Sequence, residues 1–98
     1  MLKHFVLFRF DDGYCTPSVI SHIKRVFADL QAALPSDILE QSVFSNCIPR
    51  ELNMEVMVEL TLQSPHSLDA YLKHPLHESF GREISPHIVD KCSFDYQI

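Results

Sequence analysis

The chain has 98 residues, 46% of them hydrophobic and 21% charged, a composition that describes one globular domain over residues 1–98, small enough to gain from a partner subunit. Its 8 basic residues stand against 13 acidic ones, for a net charge of −5. That balance argues against nucleic acid, whose phosphates call for a basic footprint, and no basic amphipathic stretch points to a membrane surface.

Leu2 to Phe10 alternates as a strand, with His4, Val6, Phe8 and Phe10 on one face and Lys3, Phe5, Leu7 and Arg9 on the other. Both faces carry bulky apolar side chains, so both are expected to be covered. Lys3, His4 and Arg9 interrupt the segment, which is too short and too alternating for a secretion signal or a membrane span. Asp11-Asp12-Gly13 reads as a turn. Thr16-Pro17 then opens a helix, Thr16 as N-cap and Pro17 at the first helical position. Val19, Ile20, Ile23, Val26, Phe27, Leu30, Ala33 and Leu34 follow three-and-four spacing, and Ser21, Lys24, Arg25, Asp29 and Gln31 fall largely on the wet side. Leu34-Pro35-Ser36 stops this helix.

Ile38 to Ser45 reads as a second strand with less regular alternation, and the stretch from Asn46 to Asn53 as a polar loop. Met54 to Leu62 reads as a third strand, its apolar face made by Met54, Val56, Val58, Leu60 and Leu62. Ser64-Pro65 repeats the cap-plus-proline start and opens a short helix. Pro75 lacks a backbone N–H and pushes His74 out of the α region, so that helix ends near His74. A second helical piece runs to about Glu83, and a last strand spans about Ile88 to Ile98.

Strand, helix, strand, strand, helix, strand is the order of a ferredoxin-like βαββαβ sandwich. It is an α+β fold, with a four-stranded antiparallel sheet and helices on one face. The other face then carries Phe5, Leu7 and Met57, rimmed by Lys3, Arg9 and Glu59. A two-fold homodimer, sheet against sheet, is the economical cover and closes a dimeric α/β barrel. Burial of each of the three apolar side chains would contribute roughly 1.5–3 kcal/mol.

Cys15, Cys47 and Cys92 are odd in number and far apart, which reads as free thiols in a reducing compartment and a cytoplasmic location. No glycine-rich phosphate loop suggests a nucleotide. No four-ligand metal set is readable among the histidines, and Pro75 spoils the helical spacing of His74 and His77, so neither metal nor cofactor is expected. Around Pro75 the residues do suggest chemistry. Tyr71 lies one turn before the break and His77 just after it, so a phenol and an imidazole can converge on one space.

The opening Met-Leu-Lys-His-Phe-Val-Leu-Phe-Arg-Phe, the segment Tyr71 to His77 with His74-Pro75-Leu76-His77, and the closing Phe94-Asp95-Tyr96 together resemble the stress-responsive dimeric α/β-barrel (Dabb) family. The resemblance runs from end to end and implies the fold reached above from periodicity. A plant member similar in layout is a polyketide cyclase that works without metal or cofactor. Its catalytic tyrosine and histidine match Tyr71 and His77, and its cavity positions match His4, His74 and Asp95. A further cavity histidine of that enzyme falls at about Val56, which makes the aligned pocket here less polar.

Within this frame His77 is a general base or acid, and Tyr71 a donor to a developing enolate oxygen. Asp95 is the carboxylate expected to fix the His77 tautomer. Three functional readings follow. One is a binder of a small apolar, aromatic or polyketide-like molecule, without an assigned reaction. Another is a cofactor-free cyclase or lyase using Tyr71 and His77. The last is a non-catalytic stress or interaction module, in which His77 and Asp95 tie a loop to the last strand and Tyr71 fills the core.

Overall fold

The computed structural model describes residues 1–98. Strand β1 (Leu2–Phe10) is followed by helix α1 (Pro17–Ala33), strands β2 (Ile38–Ser45) and β3 (Val56–Leu62), helices α2 (Pro65–Lys73) and α3 (Pro75–Ile84), a single 3-10 turn (Ser85–His87), and strand β4 (Ile88–Gln97). The sheet order is β2-β3-β1-β4 and every neighbouring pair is antiparallel. This is the ferredoxin-like sandwich expected from the sequence.

Local chemistry sets the helix starts. Thr16 and Ser64 each accept the backbone N–H three residues on, from Val19 and Ser67, and proline fills the first helical position behind each cap. Leu34 ends α1 before Pro35, as its sequence requires. Gly13 takes a left-handed φ of 79° in the turn after β1, which a side chain would strain.

The core lies between the helices and one sheet face. His4, Val6, Phe8 and Phe10 of β1 and Val56, Val58, Leu60 and Leu62 of β3 are buried there against Ile23, Phe27 and Leu30 of α1. The weak alternation of β2 has a structural cause. Its register shifts between Ile38 and Glu40, so the extra residue, Leu39, lets Ile38 and Val43 both reach the core despite their odd spacing. The amide of Gln31 donates to the Leu39 carbonyl at 3.0 Å, which draws that side chain partly out of the water where its position on the helix would leave it. Ala33, in contrast, is exposed. Strand β3 begins at Val56 rather than Met54, although Glu55 still donates its N–H to Phe8.

The opposite sheet face has no cover within the chain. Phe5 and Leu7 of β1 stand level with Phe94 and Cys92 of β4, and Met57 of β3 stands level with Phe44 of β2. Phe94 is 65% exposed and Phe44 48% exposed. Tyr96 joins the patch by stacking on Phe5. Lys3 and Glu59 pair at 3.1 Å beside the apolar residues, and Arg9 pairs with Asp90. The naked face is therefore wider and more aromatic than Phe5, Leu7 and Met57 alone.

Candidate functional site

Pro75 places the site. His74 sits in extended backbone, φ −65° and ψ 137°, serving at once as the last cap of α2 and the first cap of α3. The break brings His77, in the first turn of α3, edge-on to Tyr71, in the last turn of α2, with ring centroids 4.5 Å apart. His77 Nδ1 lies 3.2 Å from the carbonyl oxygen of Leu72. A carbonyl only accepts, so Nδ1 carries the hydrogen, and the neutral ring holds its lone pair at Nε2.

The third ring comes from the sheet. His4 is buried on β1 and meets Tyr71 edge-on at 5.8 Å. Asp95 of β4 is its direct cross-strand partner, and the carboxylate oxygen lies 2.5 Å from His4 Nδ1. The carboxylate accepts, which directs His4 Nε2 away from the strand pair. Asp95 therefore does not orient His77 as the sequence suggested. Strand register delivers it to His4, and the backbone of α2 orients His77 instead.

These groups line a cavity of about 550 Å³ between the sheet and the helices. Phe8, Phe27, Phe80 and Ile84 form much of its apolar wall, with Phe27 and Phe80 packed at right angles. Thr61 Oγ1 is the single sealed side-chain polar atom that lacks a hydrogen bond. The Tyr71 hydroxyl and the Nε2 atoms of His4 and His77 also have no partner in the chain. They consequently keep access to the cavity they line: one free donor and two ring nitrogens around one apolar space.

Electrostatics reinforce these roles. Burial pushes the Tyr71 phenol far above its ordinary 10.0, so the hydroxyl keeps its proton and can donate. Burial also holds His77 below its ordinary 6.5, and Lys91 and His4 push it further down. The Leu72 carbonyl and Glu78 oppose this without reversing it. A neutral imidazole beside a protonated phenol is a base next to a hydrogen-bond donor.

Of the five residues singled out in the sequence, Tyr71, His77, His4 and Asp95 converge on the cavity. His74 does not line it. Its Nδ1 accepts the Leu76 N–H at 3.1 Å, so its imidazole caps α3. Lys91 and Ser93 also line the cavity and were not anticipated. They share the face of Asp95 at period two on the last strand, a signal that alternation alone could have supplied.

A broader cleft of about 830 Å³ lies between the start of α1 and the loop after β2. Most of the residues that line it are polar, and its Arg9 is engaged by Asp90 and by the Glu51 carbonyl. Cys15 borders this cleft, but burial, then Glu55, raises its pKa, the opposite of an activated thiol. The cavity between sheet and helices carries the better chemistry. No three His, Cys, Asp or Glu side chains converge as a metal-binding group, and no helix is long and apolar enough to cross a membrane.

The family model of the stress responsive A/B barrel domain, Dabb, matches residues 2–98. Among solved structures, a dimeric ferredoxin-like protein of unknown function from Thermobifida fusca is 23% identical, with a TM-score of 0.81 over 99% of this chain and 90% of that one. A hydroxynitrile lyase from Passiflora edulis is 20% identical, with a TM-score of 0.79 over 99% of this chain and 92% of its own. A Dabb family protein with a ferredoxin-like fold from Mesorhizobium loti is 17% identical, with a TM-score of 0.69 over 99% and 95% of the two chains. No curated protein matches the chain by sequence.

Proposed function

The chain belongs to the stress responsive A/B barrel (Dabb) family, and from that premise we propose that it works as a homodimer that holds a small apolar or aromatic molecule between sheet and helices. The observation that carries this reading is the set of unpartnered polar atoms, Tyr71 hydroxyl, His77 Nε2 and His4 Nε2, facing a space otherwise walled largely by aromatic and aliphatic side chains. Pockets that bind small molecules have this constitution: mostly apolar, with a few placed polar groups. The homodimer is supported by the wide apolar sheet face and by the dimeric state described for the Thermobifida fusca neighbour.

The same geometry suits a proton transfer. His77 Nε2 removes a proton from a carbon next to a carbonyl. The C–H electron pair moves into the new C=C bond, and the carbonyl π pair moves onto oxygen. Tyr71 donates a hydrogen bond to that oxygen as negative charge develops. An aldol-type closure follows when the enolate carbon attacks a second carbonyl of the same molecule. In the reverse direction the base takes the proton of a β-hydroxyl, the C–C bond breaks as the new C=O forms, and the enolate leaves. The hydroxynitrile lyase of Passiflora edulis supports lyase chemistry on this scaffold.

Proton exchange tests the catalytic reading. The protein should accelerate deuterium uptake from D2O into the carbon positions beside the carbonyl of phenylacetone, followed by proton NMR. His77→Ala should abolish the acceleration. Binding is tested separately, by thermal shift across a library of aromatic ketones and acids. Stabilisation without exchange leaves a binding protein. Stabilisation by no compound in the library leaves the open sheet face as the functional surface of an interaction module.

A further inference from the structure

Lys3 pairs with Glu59 and Arg9 with Asp90, and three histidines, His4, His22 and His87, lie against the carboxylates of Asp95, Glu83 and Asp11. Lys91 belongs to none of these pairs. Its ammonium lies 5.8 Å from the centre of the Phe8 ring, a residue buried in the cavity wall. Lys91 itself lines that cavity on the exposed edge strand β4. An unpaired cation thus sits at the rim of an apolar space that also holds a neutral base and a phenol.

We propose that Lys91 makes the cavity selective for an apolar or aromatic monocarboxylic acid, whose carboxylate pairs with the Lys91 ammonium while its ring lies against Phe8, Phe27 and Phe80. This rests on the cavity being the ligand site and names the class of ligand. The titratable groups lining the cavity are His4, Tyr71, His77, Lys91 and Asp95. Asp95, the only carboxylate among them, is engaged by the His4 ring, and Lys91 pairs with no carboxylate of the chain. Tyr71 is an uncharged donor and His77 a neutral acceptor, which leaves Lys91 as the one free cation. A single ammonium matches a single negative charge. The cavity lining contains no arginine for the forked recognition that favours phosphate. Lys91 also lies on the helix side of the sheet, level with Phe8, so pairing of the opposite face would leave it accessible.

The matched probes are 2-naphthoate and its uncharged amide, 2-naphthamide, with affinity measured by NMR titration of the full chain. Naphthoate should bind about five- to tenfold more tightly than the amide, as expected for one partly exposed charged pair. Lys91→Met should remove that preference by weakening naphthoate and leaving naphthamide unchanged. Lys91→Arg, which keeps the charge, should retain it. Position 91 is exposed, and a thermal melt confirms that each variant folds. Equal affinities for acid and amide, unchanged by Lys91→Met, would overturn the selectivity and leave the cavity as a neutral binding site. Binding of neither probe at millimolar concentration would overturn the cavity itself as the ligand site, and the selectivity with it.

Discussion

Phe94→Ala should weaken the homodimer without disturbing the subunit. Phe94 sits on the open face of β4 opposite Phe5, with 65% of its surface exposed in the single chain. Full burial of a phenylalanine contributes roughly 1.5–3 kcal/mol, so covering the exposed two thirds contributes about 1–2 kcal/mol per copy. A two-fold interface contains the residue twice, which gives about 2–4 kcal/mol per dimer. At about 1.4 kcal/mol per factor of ten, the dimer dissociation constant should rise about 30- to 700-fold. Sedimentation velocity over a dilution series reads this directly, with Leu76→Ala on α3 as a control on the helix side. The thermal midpoint of the dissociated subunit should move little, because most of the Phe94 side chain is exposed in the chain alone. A wild-type protein that is monomeric at micromolar concentration would refute the reasoning. So would a dimer constant that Phe94→Ala leaves unchanged.

Other perturbations separate chemistry from stability. Tyr71→Phe removes a hydroxyl that has no partner in the chain, so unfolding free energy should change by no more than about 0.5 kcal/mol. Carbonyl-directed exchange should fall by about 10²–10³, as for loss of one oxyanion donor. His74→Ala should lower stability by about 0.5–1 kcal/mol through loss of the α3 cap, while ligand affinity stays the same because His74 does not line the cavity. The folded pKa of His77 lies below the ordinary 6.5, so base-dependent activity should persist to somewhat more acidic pH than a free imidazole allows. The linkage has a definite sign. As pH falls through 6.5 the unfolded chain takes up the proton first, so this contribution to stability is full above 6.5 and is lost towards the lower folded value. Tyr71 acts at the other end: its raised pKa makes stability decline as pH rises above 10.0, where the unfolded phenol ionises first.

Much of this architecture was legible because it is written locally. Thr16-Pro17, Ser64-Pro65 and His74-Pro75 mark three helix starts, each with a cap bond in the structure. Period-two alternation in β1 separates the core face from the open one. The convergence of Tyr71 and His77 was also legible, since both flank the same helix break. What stayed hidden depends on pairings between distant elements. Asp95 meets His4 because β1 and β4 run antiparallel in one particular register, which neither strand encodes alone. His77 is oriented by a backbone carbonyl, and no side-chain pattern announces that. The irregular pattern of β2 was visible, but its cause, a bulge at Leu39, appears only once Leu62 and Thr61 of β3 are set beside Ile38 and Glu40.

The proposed chemistry depends most on whether His77 offers a free Nε2 to the cavity. Proton-detected nitrogen-15 NMR of the imidazole rings at neutral pH measures this directly. The expected result is a neutral His77 with its hydrogen on Nδ1, and an Nε2 resonance that shifts when an aromatic ligand is added and Tyr71 is intact. A His77 carrying its hydrogen on Nε2, or protonated at both nitrogens near neutrality, would contradict the proposed base and the cavity chemistry built around it.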